Sequence, residues 1–140
     1  MILIDTDTLS LFQRGHEAVT ERLAHFGTVE RVATTVITQA EILRGRLDFL
    51  LKAADGEQLL KAQAWLDASL ALLADFEIIR IDALVIAVFE QLRQTKRLRK
   101  IGRGDLLIAS VALAHRATLV TRNLKHFRQI PNIQVTNWAD

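Results

Sequence analysis

Five residues of this 140-residue chain carry side-chain oxygens at places where an open α/β sheet gathers its ligands: Asp5, Asp7, Glu41, Asp105 and Asn123. Asp5 ends the apolar run Ile2-Leu3-Ile4, and Asp7 follows two residues later. Glu41 lies inside a helical stretch, on one face with Ile37 and Gly45, and Gly45 leaves room for another group to approach its carboxylate. Asp105 opens a segment apolar on nearly every side, and Asn123 follows in Thr121-Arg122-Asn123. Each has a plain structural reading. Asp5 and Asp105 suit helix N-caps, Asp7 a cap or solvated position, Glu41 a helix surface and Asn123 a turn. The conjunction asks for more. Carboxylates of Asp5, Glu41 and Asp105 converging in one partly buried crevice repel one another and resist desolvation, and a cation relieves both costs. All-oxygen ligands suit Mg²⁺ or Mn²⁺ rather than zinc.

A second pattern surrounds the third acid. Arg93, Lys96, Arg97, Arg99, Lys100 and Arg103 fall within eleven residues with no acid among them, and Arg116, Arg122, Lys125 and Arg128 follow. The formal charge of +2 hides this: residues 1–90 sum to −6 and residues 91–140 to +8. A solvated helix end also accounts for such a run. Beside an acidic metal pit, however, a basic rim is what an enzyme cutting a nucleic-acid backbone needs, the rim holding phosphates and the pit the cation that acts on one. Aromatic residues are only 6% of the chain, so no stacking platform for bases is evident.

The elements that must position these groups follow from periodicity. Strands are expected at Ile2–Ile4, Val32–Thr35, Ile78–Ile81, Thr118–Thr121 and Ile133–Val135. Helices are expected at Thr6–Gln13, His16–Phe26, Ile37–Leu51 (apolar stripe Ala40, Leu43, Leu47, Leu50), Gln58–Ala74 (stripe Leu59, Ala62, Leu66, Leu70, Leu73), from Asp82 to about Leu98, and Asp105–His115, with a loop at Gly102–Gly104 and a helical turn at Asn123–Phe127. Strands alternating with helices predict one domain, a three-layer α/β/α sandwich around a mostly parallel sheet of four to five strands. Such sheets bind ligands at the carboxyl ends of their strands, where four successive strand-to-helix junctions each deliver an acid or amide.

Other chemistries find little support. The chain has no cysteine, so no disulfide, zinc–thiolate site or cysteine nucleophile. His16, His25, His115 and His126 are scattered and read as structural or surface residues. No glycine-rich phosphate loop is present, Gly102-Arg103-Gly104 being too short. No run approaches the ~18 apolar residues of a membrane span. With no targeting signal evident at Met1-Ile2-Leu3-Ile4-Asp5, a cytoplasmic location is expected.

Ile4-Asp5-Thr6-Asp7-Thr8-Leu9-Ser10 resembles the opening motif of PIN-domain ribonucleases. Thr38-Gln39-Ala40-Glu41-Ile42-Leu43-Arg44-Gly45 is similar to their second motif, Gly104-Asp105-Leu106-Leu107-Ile108-Ala109 to the third and Thr121-Arg122-Asn123-Leu124-Lys125-His126-Phe127 to the fourth. Length and motif order fit the VapC-type toxins of bacterial toxin–antitoxin pairs. The chain departs from the pattern at Asp7, where relatives often have Asn, and at Asn123, where many have Asp. The resemblance implies a PIN-like fold and an endoribonuclease dependent on Mg²⁺ or Mn²⁺, neutralised by a cognate antitoxin and forming a homodimer or a higher toxin–antitoxin assembly. On this reading Asp5, Glu41 and Asp105 hold the metal. Asp7 or Asn123 orients water or completes the outer shell, and Thr6, Ser10 and Thr121 support the carboxylates, Ser10 by a hydrogen bond near Asp5. Arg97, Arg99, Lys100, Arg103 and Arg122 are the candidate RNA contacts. The leucine stripes of residues 37–51 and 58–74 serve either core packing, the slightly favoured use, or a partner surface.

Two rivals stand beside it. One is a non-catalytic RNA- or protein-binding module on the same scaffold. The other is a haloacid-dehalogenase-like phosphatase, which also opens on hydrophobic-Asp-x-Asp but spaces its next threonine one residue beyond Thr8.

Overall fold

A computed structural model describes residues 1–140. Five strands, β1 (Ile2–Ile4), β2 (Val32–Thr35), β3 (Glu77–Ile79), β4 (Thr118–Val120) and β5 (Gln134–Thr136), form one sheet in the order β3-β2-β1-β4-β5, every pair parallel. Ile4 is in register with Thr34 on one side and Val120 on the other, so β1, β2 and β4 end level at a common edge. The helices are α1 (Thr6–Gln13), α2 (Glu17–Phe26), α3 (Val36–Leu51), α4 (Gly56–Ala74), α5 (Ala83–Arg93), α6 (Arg103–Ala114) and α7 (Leu124–Phe127), with a 3₁₀ turn at Lys96–Leu98.

Strand alternation builds the layers. Leu3 and Leu119 point into a core shared with Phe89 of α5 and Ile108 and Val111 of α6. Ile2, Ile4 and Val120 point the other way, into a core with Leu9, Val19, Ile42 and Leu73 of the first four helices. This is the expected three-layer sandwich. No helix is long and apolar enough to cross a membrane.

Three expectations shift. The helix after Asp82 stops at Arg93, because Leu98 is drawn into the core and tightens the following cationic stretch into the 3₁₀ turn. The helix expected from Asp105 begins at Arg103, with Gly102 as its N-cap, so the expected loop is shorter and Asp105 stands in the first turn without capping the helix. The leucine stripes are the buried faces of α3 and α4 only in part: Ala62 and Leu73 of the α4 stripe are buried, while Leu43, Leu50 and Leu66 are half-buried. The buried residues are Thr38, Ile42 and Arg46 on α3 and Ala62, Ser69 and Leu73 on α4. Arg46 Nε donates to Ser69 Oγ at 2.8 Å, so the two helices meet through polar groups. Ala40, Leu47, Leu59 and Leu70 are left exposed, beside Leu60 (72% exposed) and Leu51 (74%).

Candidate metal centre at the carboxyl edge of the sheet

Asp5 follows β1 directly and caps α1, its Oδ1 accepting from the Thr8 amide at 2.9 Å. It is only 6% exposed. Burial pushes its carboxyl above the usual range. Hydrogen bonds from the Thr121 hydroxyl and the Thr8 amide and hydroxyl pull it back in part, and the charge of nearby Asp7 adds to the rise. Thr121 comes from the end of β4, so two adjacent strands hold one acid.

Glu41 is placed by a hydroxyl relay. Thr35, the last residue of β2, caps α3 through the Thr38 amide at 3.0 Å, and its hydroxyl donates to Thr38 Oγ1. Thr6 Oγ1 lies 3.1 Å from Thr38 Oγ1 and donates to Glu41 Oε1 at 2.9 Å. The first turn of α1 therefore carries Asp5, the hydroxyl that holds Glu41, and Asp7. A Cβ added to Gly104 would stand 3.9 Å from Glu41 Oε2, whereas one at Gly45 would meet nothing within 4 Å. The close approach to Glu41 is thus made by Gly104, from another helix, and Gly45 faces open space. Glu41, Gly104, Ile37 and Arg44 line one groove.

Asp105 follows Gly104 on α6, which brings the third acid to the same edge. Its side chain is 41% exposed, and His126 Nε2 lies 3.2 Å from its Oδ2. Partial burial raises the Asp105 carboxyl, the nearby His126 imidazole works against that, and Asp7 raises it further. Asp7 is therefore felt by both Asp5 and Asp105, itself exposed on the rim between them.

The remaining candidates divide. Thr6 and Thr121 bond as supports, one to Glu41 and the other to Asp5. Ser10 makes no side-chain hydrogen bond to Asp5. The amide and hydroxyl of Thr8 take that place, because capping geometry presents the third residue after the cap. Asn123 is exposed and makes no side-chain cap, its amide donating to Thr121 Oγ1 at 3.0 Å. Arg122 is engaged with Asp140 at 3.2 Å, and Arg103 lies over the Phe89 ring at 5.1 Å from its centroid. Arg97, Arg99 and Lys100 are exposed and unpaired around the 3₁₀ turn, with Arg99 and Arg103 lining one shallow groove. The sequence reading missed Thr35, Thr38 and His126. The β-branched pair Thr34-Thr35 at a strand end was a visible capping signal for the first two.

The donor set can be tested against a cation. No three acidic or histidine side chains stand together tightly enough to enclose an ion by themselves. The donors are all oxygens, and neither Asp5, Asp7 nor Glu41 has a lysine or arginine partner. Acids without lysine or arginine partners, in an open arrangement, fit a hard ion that keeps much of its water and takes one or two carboxylates directly, as Mg²⁺ does.

Comparison with known proteins places the chain in a family. Residues 2–133 match the family model described as PIN domain. A stretch of 38 residues, 27% of this chain and 28% of the relative, is 60% identical to Ribonuclease VapC2 of Rickettsia felis. Ribonuclease VapC1 of Haemophilus influenzae (strain R2866) is 27% identical over 98% of this chain and 97% of its own. The crystal structure of VapBC2 from Rickettsia felis bound to a DNA fragment from their promoter superposes with a TM-score of 0.80 at 30% identity, covering 99% of both chains.

Proposed function

The chain belongs to the PIN-domain family, and from that premise we propose that it is a divalent-metal-dependent endoribonuclease, a toxin that hydrolyses RNA phosphodiester bonds in the cytoplasm until a cognate antitoxin neutralises it. The observation that carries the reading is the uncompensated acid cluster. Asp5, Glu41 and Asp105 reach one edge from separate elements, held by hydroxyls and a backbone amide or faced by a histidine, and none is paired with a lysine or arginine. A protein keeps carboxylates in that condition where their charge has a use.

Asp5 and Asp105, with Glu41 across the Gly104 contact, would hold Mg²⁺ or Mn²⁺, partly through water. The bound ion supplies a water of lowered pKa and stabilises charge on the scissile phosphate. Thr6 fixes the Glu41 carboxylate, and Thr8 and Thr121 fix that of Asp5. Asp7, exposed between the sites, orients water. Arg97, Arg99, Lys100 and Arg103 receive the flanking phosphates, and Arg122 joins them on release from Asp140. The antitoxin covers the exposed leucines of α3 and α4, a use of those faces that their exposure favours over core packing.

The test is cleavage of a mixed RNA pool by wild type and Asp105→Asn in EDTA, Mg²⁺ and Mn²⁺. Wild type cleaves only with metal, and the variant, melting normally, loses about 100-fold or more, the scale on which removal of one preorganised charge contact acts. Equal metal-dependent cleavage by both would remove Asp105 from the site. RNA binding without cleavage in any metal would favour the non-catalytic module.

A further inference from the structure

Asp5 and Glu41 of the proposed site are held by threonine side chains, and the side chain that faces Asp105 is His126. Thr8 and Thr121 hold Asp5, and Thr6 holds Glu41. Asp105 caps no helix and receives no hydroxyl, its one protein hydrogen-bonding neighbour being the imidazole. His126 Nε2 is sealed from solvent and has no well-aligned hydrogen bond to any group, with Asp105 Oδ2 3.2 Å away. The ring stands edge-on to Phe127, centroids 5.6 Å apart, and Phe127 is itself buried to 1% exposure. Packing thus keeps the imidazole aimed at the carboxylate. A buried nitrogen left without a partner is costly, and Asp105 is the acceptor within reach.

We propose that His126 is a positioning residue for the metal centre. Its Nε2–H donates to Asp105 Oδ2, fixes the rotamer of an otherwise half-exposed carboxylate and leaves Oδ1 for the cation. A ligating carboxylate that is itself hydrogen-bonded loses less freedom when metal arrives, and loss of such a partner costs about 10–100-fold in metal affinity. The inference rests on the reading that Asp105 is a metal ligand.

Mn²⁺ binding by the full chain, followed by electron paramagnetic resonance and by calorimetry, tests it with wild type, His126→Ala, His126→Gln and Asp105→Asn, each melted in EDTA to establish folding. The expected result for His126→Ala is Mn²⁺ binding weakened about 10–100-fold, with RNA kcat reduced at low Mn²⁺, recovered at saturating Mn²⁺, and RNA KM unchanged. His126→Gln, whose amide can donate the same bond, returns Mn²⁺ affinity towards wild type. Wild-type Mn²⁺ affinity in His126→Ala, or a glutamine variant as weak as the alanine variant, overturns the proposal. If Asp105→Asn loses Mn²⁺ while His126→Ala keeps it, only the role of His126 fails. If Asp105→Asn itself binds Mn²⁺ as wild type does, the ligand assignment fails and this inference with it.

Discussion

Asp5 and Arg46 are both buried ions with no ion of opposite charge beside them, and the protein treats them in contrary ways. Arg46 is surrounded by neutral partners that use its donors. Nε donates to Ser69 Oγ at 2.8 Å, Nη2 donates to Gln13 Oε1 at 3.1 Å, and the guanidinium lies over the Trp65 ring, 4.8 Å from its centroid. Burial, with Arg14 nearby, lowers its pKa from an ordinary value so high that it stays charged. The result is a closed network joining α1, α3 and α4. Around Asp5 the hydrogen bonds come from Thr8 and Thr121, but two further acids, Asp7 and Asp105, stand at the same edge, and burial still holds the Asp5 carboxyl above its usual range. The difference is instructive: the buried arginine is met by polar partners that tie three helices together, whereas the buried aspartate stands among other acids, as the proposed metal site requires.

Removing each ion breaks or sharpens that contrast. The largest expected effect on stability is at Arg46. Arg46→Ala strips partners from Gln13 and Ser69 and opens space beside Trp65, and costs about 3 kcal/mol in a denaturant titration. RNA cleavage per folded molecule is unchanged, since the network touches no proposed ligand. A variant as stable as wild type would mean that the network is incidental.

Asp5→Asn goes the other way. Asparagine caps a helix about as well as aspartate, and it removes the charge that burial opposes. In EDTA at pH 7 the variant gains about 1 kcal/mol, within the range for relief of a buried polar penalty, while losing metal-dependent cleavage. The pH dependence has a definite sign. Asp5 and Asp105 both lie above the ordinary 3.8 when folded, so between 3.8 and the raised values the native state binds more protons than the unfolded chain. Their contribution to metal-free stability therefore declines as pH rises from 3.8 through the folded values, and stays at its full cost above them. Melting in EDTA from pH 4 to 8 shows this decline for wild type, and a shallower one for Asp5→Asn. An identical slope in both would assign the burial penalty elsewhere.

Arg122→Ala gives the smallest effect. Both partners in the Arg122–Asp140 pair are about half exposed, and such pairs contribute about 0–1 kcal/mol. The variant melts within about 4 °C of wild type. If Arg122 turns from Asp140 to RNA, its loss appears in KM, steepening at low salt.

The contrast also marks where reading the sequence succeeded. Asp5 and Asp105 were legible because a strand end and a helix start announce themselves in apolar periodicity, and parallel sheets gather such ends at one edge. Glu41 was legible through its place on a helix launched from the same edge. Arg46 was not. Leucines at helical spacing outvote one arginine in any hydrophobic count, yet Arg46 and Ser69 join the inner faces of α3 and α4 while Leu47, Leu59 and Leu70 face out. His126 was equally hidden, because its partner lies twenty-one residues away on another helix and no local period connects them. Gly45 drew notice for its nearness to Glu41 in sequence, while the glycine that matters, Gly104, arrives through tertiary packing. Local pattern located the acids, and only the packed chain showed what holds them.

The central claim is that these acids are unfinished because a divalent ion completes them. Melting temperature with EDTA and with millimolar Mn²⁺ at pH 7.5, for wild type and Asp5→Asn, tests it most directly. Metal bound only by the folded state at a hundred times its Kd adds about 2.7 kcal/mol, so wild type rises by roughly 5–10 °C and reverses its order with the asparagine variant, which is the more stable of the two without metal and barely responds to it. Equal shifts in both proteins, or none in wild type, would contradict the claim.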